Sequence, residues 1–329
     1  FRRDLPLIID PTMLAWSTFI GGPSATQGFL IEGYMRDIDV DALGYIYGVG
    51  WYTERFPTVS GSYDETFNGA LMDAYVFKMT PDGRSLVYST YLGGSHQDEA
   101  TSINVNPSGE AYIVGSTFCT YFPVTLDLTP IQDYNAGDWD GFAVKLSRDG
   151  DSLIYSTYFG GDSSEFFDRA ALNSRGELFI TGQTISQNYP TTPGAHDRTL
   201  DTTDIFVTVL NAEALTVLYS TLVGGSDVDY ALDIAVNNSD EAIVLGNTFS
   251  PDFPLTAGAA QDISAGNLDI ALFRLSNDGS QILASTYFGG AGDDFGQGMT
   301  LNSAGQPIIT GTTSSPDFLT TAGAFDRTF

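Results

Sequence analysis

The sequence has little of what binds polyanions, crosslinks chains or crosses membranes. Its 329 residues include one cysteine, Cys119, so no intrachain disulfide forms. The two histidines, His96 and His196, lie outside any cysteine-hydrolase or zinc-ligand spacing. Lys and Arg number 13 against 41 Asp and Glu, a net charge of −28, which repels nucleic-acid phosphates and anionic lipid. No apolar run approaches the roughly 18 residues of a spanning helix, so no membrane insertion of that kind is expected. Also absent are a Gly-x-Ser-x-Gly elbow, a phosphate-cradling Gly-Lys-Ser/Thr loop, a dinucleotide fingerprint and an EF-hand loop. No segment sustains the i, i+3, i+4 apolar period of an amphipathic helix.

What is present is repetition. "LVYSTYLGG" at 86–94 returns as "LIYSTYFGG" at 153–161, "VLYSTLVGG" at 217–225 and "ILASTYFGG" at 282–290, with a worn copy, "MLAWSTFIGG", at 13–22. The serines Ser17, Ser89, Ser156, Ser220 and Ser285 are spaced by 72, 67, 64 and 65 residues. A period of that length fits a unit of several strands. Within it, "SINVNPSG" (102–109) shows period-two alternation and "EAYIVGST" (110–117) follows at once. Asp41, Asn106, Asn173, Asn237 and Asn302 hold the turn between these two segments. Gly50, Gly115, Gly182, Gly246 and Gly311 recur inside the second segment, which marks a bulge or a close backbone approach. A long polar connection follows, with an aromatic-proline pair at Phe56-Pro57, Phe122-Pro123, Tyr189-Pro190 and Phe253-Pro254, and without proline at Phe318-Leu319. The aromatic is expected to pin that loop onto the sheet. Then come "DGFAVKLSRDG" (140–150) and its copies, whose Asp-Gly turns the chain into the opening phrase.

Four strands per unit predict an all-β chain, a β-propeller of four-stranded antiparallel blades, over a linear solenoid, whose coils are shorter. The units run roughly 23–94, 95–161, 162–225, 226–290 and 291–329. The last has only first and second strands. Residues 4–10 and the copy at 13–20 read as third and fourth strands. Five blades are therefore expected in one domain over 1–329, with residues 4–22 completing the last blade and removing two exposed sheet edges. A longer array of blades is the alternative.

"YSTYLGG" (88–94), "GGAGDDFGQGMTLNSAGQPIITGTT" (289–313), "SPDFPLTAGA" (250–259) and "DGFAVKLSRDG" (140–150) resemble the SBBP repeat, a β-propeller repeat of secreted and surface-displayed bacterial proteins. "LPLIIDP" (5–11) resembles the stretch preceding such repeats. The first unit, at 21–41, is divergent, and the units are longer than is usual for that family. The resemblance implies an extracellular module within a larger modular chain and no shared catalytic residues. An export signal is expected outside the sequence, which begins at Phe1.

Two groups of residues are candidates for chemistry. An acid follows four residues after the second glycine at Asp98, Glu165, Asp229 and Asp294, placed by the sequence in the turn leading to the next unit. Such a ring of carboxylates is a candidate site for a hard cation such as calcium. An acid repeated in every unit also fits an architectural role as acceptor for backbone amides. Asp37, Asp39 and Asp41 look like a calcium loop but fit a strand and hairpin better. Catalytic acids should break the repeat, which leaves Glu32, Asp37 and Asp168. The longest and most aromatic loops, 51–72 and 118–139, carry Trp51, Tyr52, Tyr121, Tyr134 and Trp139. These are candidates for stacking on a glycan or packing on a protein partner, with pinning of their own loops as the other reading. The expected function is a non-enzymatic extracellular interaction or surface-assembly module. The alternative is a carbohydrate-active propeller, lectin or glycosidase, with unique carboxylates at the channel mouth.

Overall fold

The computed structural model describes residues 16–22, 33–69, 71–214 and 216–328. Among them are eighteen strands and one short 3-10 turn, Leu126–Leu128. The first sheet holds β1 (Gly33–Val40), β2 (Ile46–Tyr52), β3 (Asp73–Met79) and β4 (Leu86–Leu92). The second holds β5 (Asp98–Val105), β6 (Ala111–Thr117), β7 (Asp140–Leu146) and β8 (Leu153–Phe159). The third holds β9 (Glu165–Leu172), β10 (Leu178–Thr184), β11 (Asp204–Leu210) and β12 (Val217–Val223). The fourth holds β13 (Asp229–Val236), β14 (Ala242–Thr248), β15 (Asp269–Leu275) and β16 (Ile282–Phe288). A two-stranded sheet of β17 (Asp294–Leu301) and β18 (Pro307–Thr313) ends the series. Every pairing within these sheets joins consecutive strands and is antiparallel, so each sheet is a meander.

The repeated residues explain the repeated shape. The turn acceptor works alike in all five units. Asn106 Oδ1 accepts the amides of Ser108 and Glu110, both at 3.0 Å, and Asp41, Asn173, Asn237 and Asn302 make the same pair of bonds. The recurring glycine of the second strand lies against a backbone carbonyl of the first. A Cβ on Gly50, Gly115 or Gly182 would fall 1.9–2.0 Å from the oxygen of Tyr34, Glu99 or Phe166. That close approach accompanies a bulge in the first strand of each unit.

The aromatic of the aromatic-proline pair caps its sheet. Phe56 stacks on Tyr75 at 4.0 Å, Phe122 on Phe142 at 4.4 Å and Tyr189 on Phe206 at 4.8 Å. The second tyrosine of "YSTY" then ties the loop down. Tyr158 Oη accepts the Phe122 amide at 2.7 Å and donates to the Cys119 carbonyl at 2.8 Å. In the third unit that tyrosine is Leu222, and Tyr189 supplies the hydroxyl instead, bonded to Thr208 Oγ1 at 2.8 Å.

Adjacent sheets pack through the first tyrosine of the phrase. Tyr88 lies against Gly150 and Tyr219 against Gly279, each in the hairpin turn of the next sheet. Buried clusters accordingly run from sheet to sheet, Tyr47 and Tyr88 joining Ile113 and Phe142, for example. The four strand-opening acids are a correction to the sequence reading. Asp98, Glu165, Asp229 and Asp294 are the first residues of β5, β9, β13 and β17, not turn residues.

Residues 4–15 of the expected closing segment lie outside the described residues. Residues 16–22 are described and carry no strand assignment. They meet the first sheet as β4 and β12 meet the next sheet. Trp16, at the place of Tyr88, covers Gly83 and donates its indole N–H to the Pro81 carbonyl at 3.0 Å. The five first strands, β1, β5, β9, β13 and β17, all contribute to the lining of one cavity of about 650 Å3.

Candidate functional site

The repeat makes the exceptions visible. Each bulge leaves one residue of the first strand without a partner on the second, and a bulge re-aims that side chain. The five residues are Arg36, Thr101, Asp168, Leu232 and Gln297. No two are alike, although their surroundings recur. The position before each bulge pair varies in the same way. After the strand-opening residue come Tyr34, Glu99, Phe166, Tyr230 and Phe295. The four aromatics remain 39–49% exposed.

Three of the bulge residues and three of those neighbours share one cavity of about 440 Å3. Its lining includes Tyr34, Arg36, Glu99, Trp139, Phe166, Asp168, Arg169 and Gln183. Arg169 also lines the 650 Å3 cavity between the five first strands, so the two spaces meet at its side chain. The 440 Å3 cavity therefore opens at the end of the first strands where those strands begin.

Aromatic rings wall this cavity. Tyr34 meets Trp51 edge-on at 5.2 Å, and Trp139 lies 5.8 Å from Phe118 and 6.2 Å from Phe166. Charge sits on its floor. Arg36 forms an ion pair and hydrogen bond with Glu99. Arg169 donates from Nη1 to the carbonyls of Thr101, at 2.9 Å, and Asp168, at 3.1 Å. Asp168 Oδ2 is shut off from solvent without a hydrogen-bond partner, as is Gln183 Oε1. Burial pushes the Asp168 carboxyl up to about 7, against the pull of Arg169 and Arg36 and with a further push from Glu99. A carboxyl of that kind exchanges a proton near neutral pH, and the rings offer apolar faces to a ligand.

The residues selected from sequence are distributed differently. Trp139 and Asp168 line the cavity, and Trp51 backs Tyr34 at its edge. Tyr52 turns away, its ring tilted against Phe56 at 5.3 Å and its hydroxyl accepting the Gly22 amide at 3.2 Å. Tyr121 is 81% exposed on its loop, and Tyr134 borders a separate cavity with Ile131, Pro130 and Asn188. Glu32 lies outside the described residues. Asp37 Oδ2 accepts the Ile103 amide at 2.9 Å and the Ser102 hydroxyl at 2.8 Å, clipping the first sheet to the second. Asp39 accepts the Val105 amide at 2.7 Å in the same way.

Asp98, Glu165, Asp229 and Asp294 are fully buried, each in its own unit. Each accepts the amide of the second glycine four residues before it, at 2.7–2.8 Å. Among the described residues, no group of three or more His, Cys, Asp or Glu side chains is placed to hold a metal ion. Cys119 is buried and its Sγ accepts the Ser95 amide at 3.1 Å. His96 contacts Ser95 Oγ through Nδ1 at 3.1 Å.

Arg36, Arg169, Gln183, Tyr34 and Phe166 were not selected from sequence. The signal that finds them is register: Arg36 is itself forced out of the ladder, Tyr34, Phe166 and Arg169 lie within two residues of such a residue, and Gln183 pairs with Phe166.

No family model matches the sequence, and no curated protein matches it. Among solved structures the chain is similar to a protein of unknown function from Dyadobacter fermentans DSM 18053. The identity is 12%, covering 85% of this chain and 75% of that one, with a TM-score of 0.46. It is also similar to an ulvan lyase of the polysaccharide lyase family PL25, at 10% identity over 88% of this chain and 68% of that one, with a TM-score of 0.41. A glucose dehydrogenase is similar at 13% identity over 77% of this chain and 93% of that one, with a TM-score of 0.32. Likenesses at these scores assign neither a fold nor an activity to this chain.

Proposed function

We propose that the chain is a five-bladed β-propeller of the SBBP-repeat kind, displayed outside the cell, that binds a glycan at the mouth of its central channel without transforming it. The fifth blade is β17 and β18 completed by the N-terminal segment. The fit of Trp16 on Gly83, in the manner of Tyr88 on Gly150, supports that closure. The lining of one cavity by all five first strands supports a common axis.

One observation carries the functional reading. The side chains that break the repeat gather in one place, and they combine flat rings (Tyr34, Trp139, Phe166) with hydrogen-bonding groups (Arg36, Glu99, Asp168, Arg169, Gln183). Sugar rings present an apolar face and a rim of hydroxyls, which is the complement of such a surface. An acidic exterior keeps such a module soluble and away from nucleic acid.

The test is calorimetry against cellohexaose, chitohexaose, xylohexaose and an oligogalacturonate. At least one should bind, and Trp139→Ala with Phe166→Ala should weaken it at least about tenfold, or ~1.4 kcal/mol. Absence of binding to any of the four, or binding untouched by the double variant, overturns the reading.

Asp168 favours a second reading, cleavage of the bound glycan, because its carboxyl titrates near neutrality and has an oxygen without a partner. Release of shorter oligosaccharides by the wild type, and its loss in Asp168→Asn, would establish that reading over simple binding.

A further inference from the structure

The first glycine of each Gly-Gly pair lies between two buried carboxylates from different sheets. The pairs are Asp73 with Asp98, Asp140 with Glu165, Asp204 with Asp229, and Asp269 with Asp294; none of these residues is more than 2% exposed. A Cβ on Gly289 would fall 1.7 Å from Asp269 Oδ1 and 3.1 Å from Asp294 Oδ2. On Gly224 it would fall 2.4 Å from Asp204 Oδ1 and 2.9 Å from Asp229 Oδ2. On Gly160 it would fall 2.4 Å from Glu165 Oε2 and 2.7 Å from Asp140 Oδ1. One acid of each pair opens the third strand of a sheet, and the other opens the first strand of the next. Each pair thus spans a seam between neighbouring sheets.

Donors are unevenly supplied. The first-strand acids receive the second-glycine amide and hydroxyls such as Thr117, Thr184, Ser250 and Ser315. The third-strand acids receive loop amides, Asn68 to Asp73 at 2.7 Å and Ala265 to Asp269 at 2.8 Å, on one oxygen. The other oxygen, Oδ1 of Asp73, Asp204 and Asp269, is buried without a partner, and so is Oδ1 of the first-strand acids Asp229 and Asp294. Oδ1 of Asp204 and Oδ2 of Asp229 flank one and the same position, that of a Cβ on Gly224, at 2.4 and 2.9 Å. Two such oxygens without a hydrogen between them repel in a site closed to water.

We propose that the pairs Asp73–Asp98, Asp140–Glu165 and Asp204–Asp229 each hold one shared proton across the seam, so that these three seams form a pH-sensitive lock between sheets.

The electrostatics agree. Burial raises Asp73 and Asp140 to about 6 and Asp204 to about 7, and it raises Asp98 to about 7 and Asp229 to about 6. The facing acid adds to the rise, Asp73 on Asp98, Glu165 on Asp140 and Asp229 on Asp204. The other charged groups acting on the pairs are also acids: Asp64 on Asp73, Asp162 on Glu165, Asp197 and Asp201 on Asp204, and Asp252 on Asp229. A carboxyl whose folded value is raised stabilises fully below its unfolded value, about 4, and that stability is lost as pH rises through about 6–7. The protons belong to the pairs and titrate as pairs.

The experiment is thermal unfolding of the full chain, with and without Asp73→Asn plus Asp204→Asn. The amide of Asn supplies permanently the hydrogen that the acid supplies only when protonated. Wild type should lose roughly 5–10 °C in Tm between about pH 5 and pH 8. The double variant should lose less than half of that and melt above wild type at the alkaline end. An exposed control, Asp278→Asn, should track wild type. A wild-type Tm that holds steady over this range overturns the proposal, as does a double variant that melts lower throughout. Millimolar calcium that restores the alkaline wild-type Tm assigns the seams to a cation and also overturns it. Infrared spectra of wild type at neutral pH give a second readout independent of the variants' folding. A protonated-carboxyl band is expected there, and its absence contradicts the lock.

Discussion

Replacing Gly182 by alanine should be among the costliest small substitutions in the chain. Its Cβ would sit 1.9 Å from the Phe166 carbonyl oxygen and 2.8 Å from Cζ of Phe206. The first obstacle is backbone, and the second is a ring stacked on Tyr189 at 4.8 Å. Relief requires a shift of roughly 1 Å between β9 and β10, where overpacking typically costs ~1–3 kcal/mol. The upper end, ~3 kcal/mol, is expected because backbone cannot rotate out of the way as a side chain can. Gly194→Ala is the control. It has nothing within 4 Å and a φ of +87°, so only left-handed strain applies, about 1 kcal/mol. Gly246→Ala should fall between them, because its Cβ would lie 2.7 Å from the Tyr230 carbonyl oxygen, a milder clash than the 1.9 Å at Gly182, and 2.6 Å from the movable end of the Ile205 side chain. Urea denaturation followed by circular dichroism orders the three. The bulge argument also requires Gly182→Ala, and not Gly194→Ala, to weaken glycan binding, since Phe166 and Asp168 flank the displaced backbone. A Gly182→Ala variant as stable as Gly194→Ala would refute the steric account.

Three further outcomes follow from the same contacts. Tyr158→Phe removes a hydroxyl that accepts the Phe122 amide and donates to the Cys119 carbonyl, and should cost ~1–3 kcal/mol in chemical denaturation. Phe122→Ala deletes a ring that is 3% exposed and stacked on Phe142, and should cost ~3–5 kcal/mol by the same measurement. Asp37→Ala leaves the Ile103 amide and Ser102 hydroxyl without their acceptor, and should cost ~1–3 kcal/mol, with faster amide exchange at Ile103.

The strands that alternate cleanly were readable from sequence. Asp-Gly hairpins and the repeated Asn turns bound the second, third and fourth strands almost to the residue. The first strands were read short. The segment placed at 102–109 begins at Asp98, because the bulge at Thr101 inserts a residue and reverses the alternation there. That parity break also moved the four repeated acids from an expected turn into strand ends. The loop aromatics divide for a related reason. Loop length pointed to Tyr52, Tyr121 and Tyr134, but a long loop packs much of itself on its own sheet, as Tyr52 does on Phe56. Arg36 and Arg169 carry no motif. Arg36 is distinguished only as the residue displaced from its ladder and Arg169 only as the neighbour of the displaced Asp168, and both places are defined by pairing across strands.

The account rests on sheets that close around one axis, and the outer edge of β18 is where closure is measured. Hydrogen exchange on the intact chain, resolved to residues 307–313, reports whether a third strand covers that edge. Closure by the N-terminal segment predicts slow exchange at the β18 amides that do not bond to β17. Exchange at those amides as fast as in an unstructured peptide would contradict the ring and the axial site built on it.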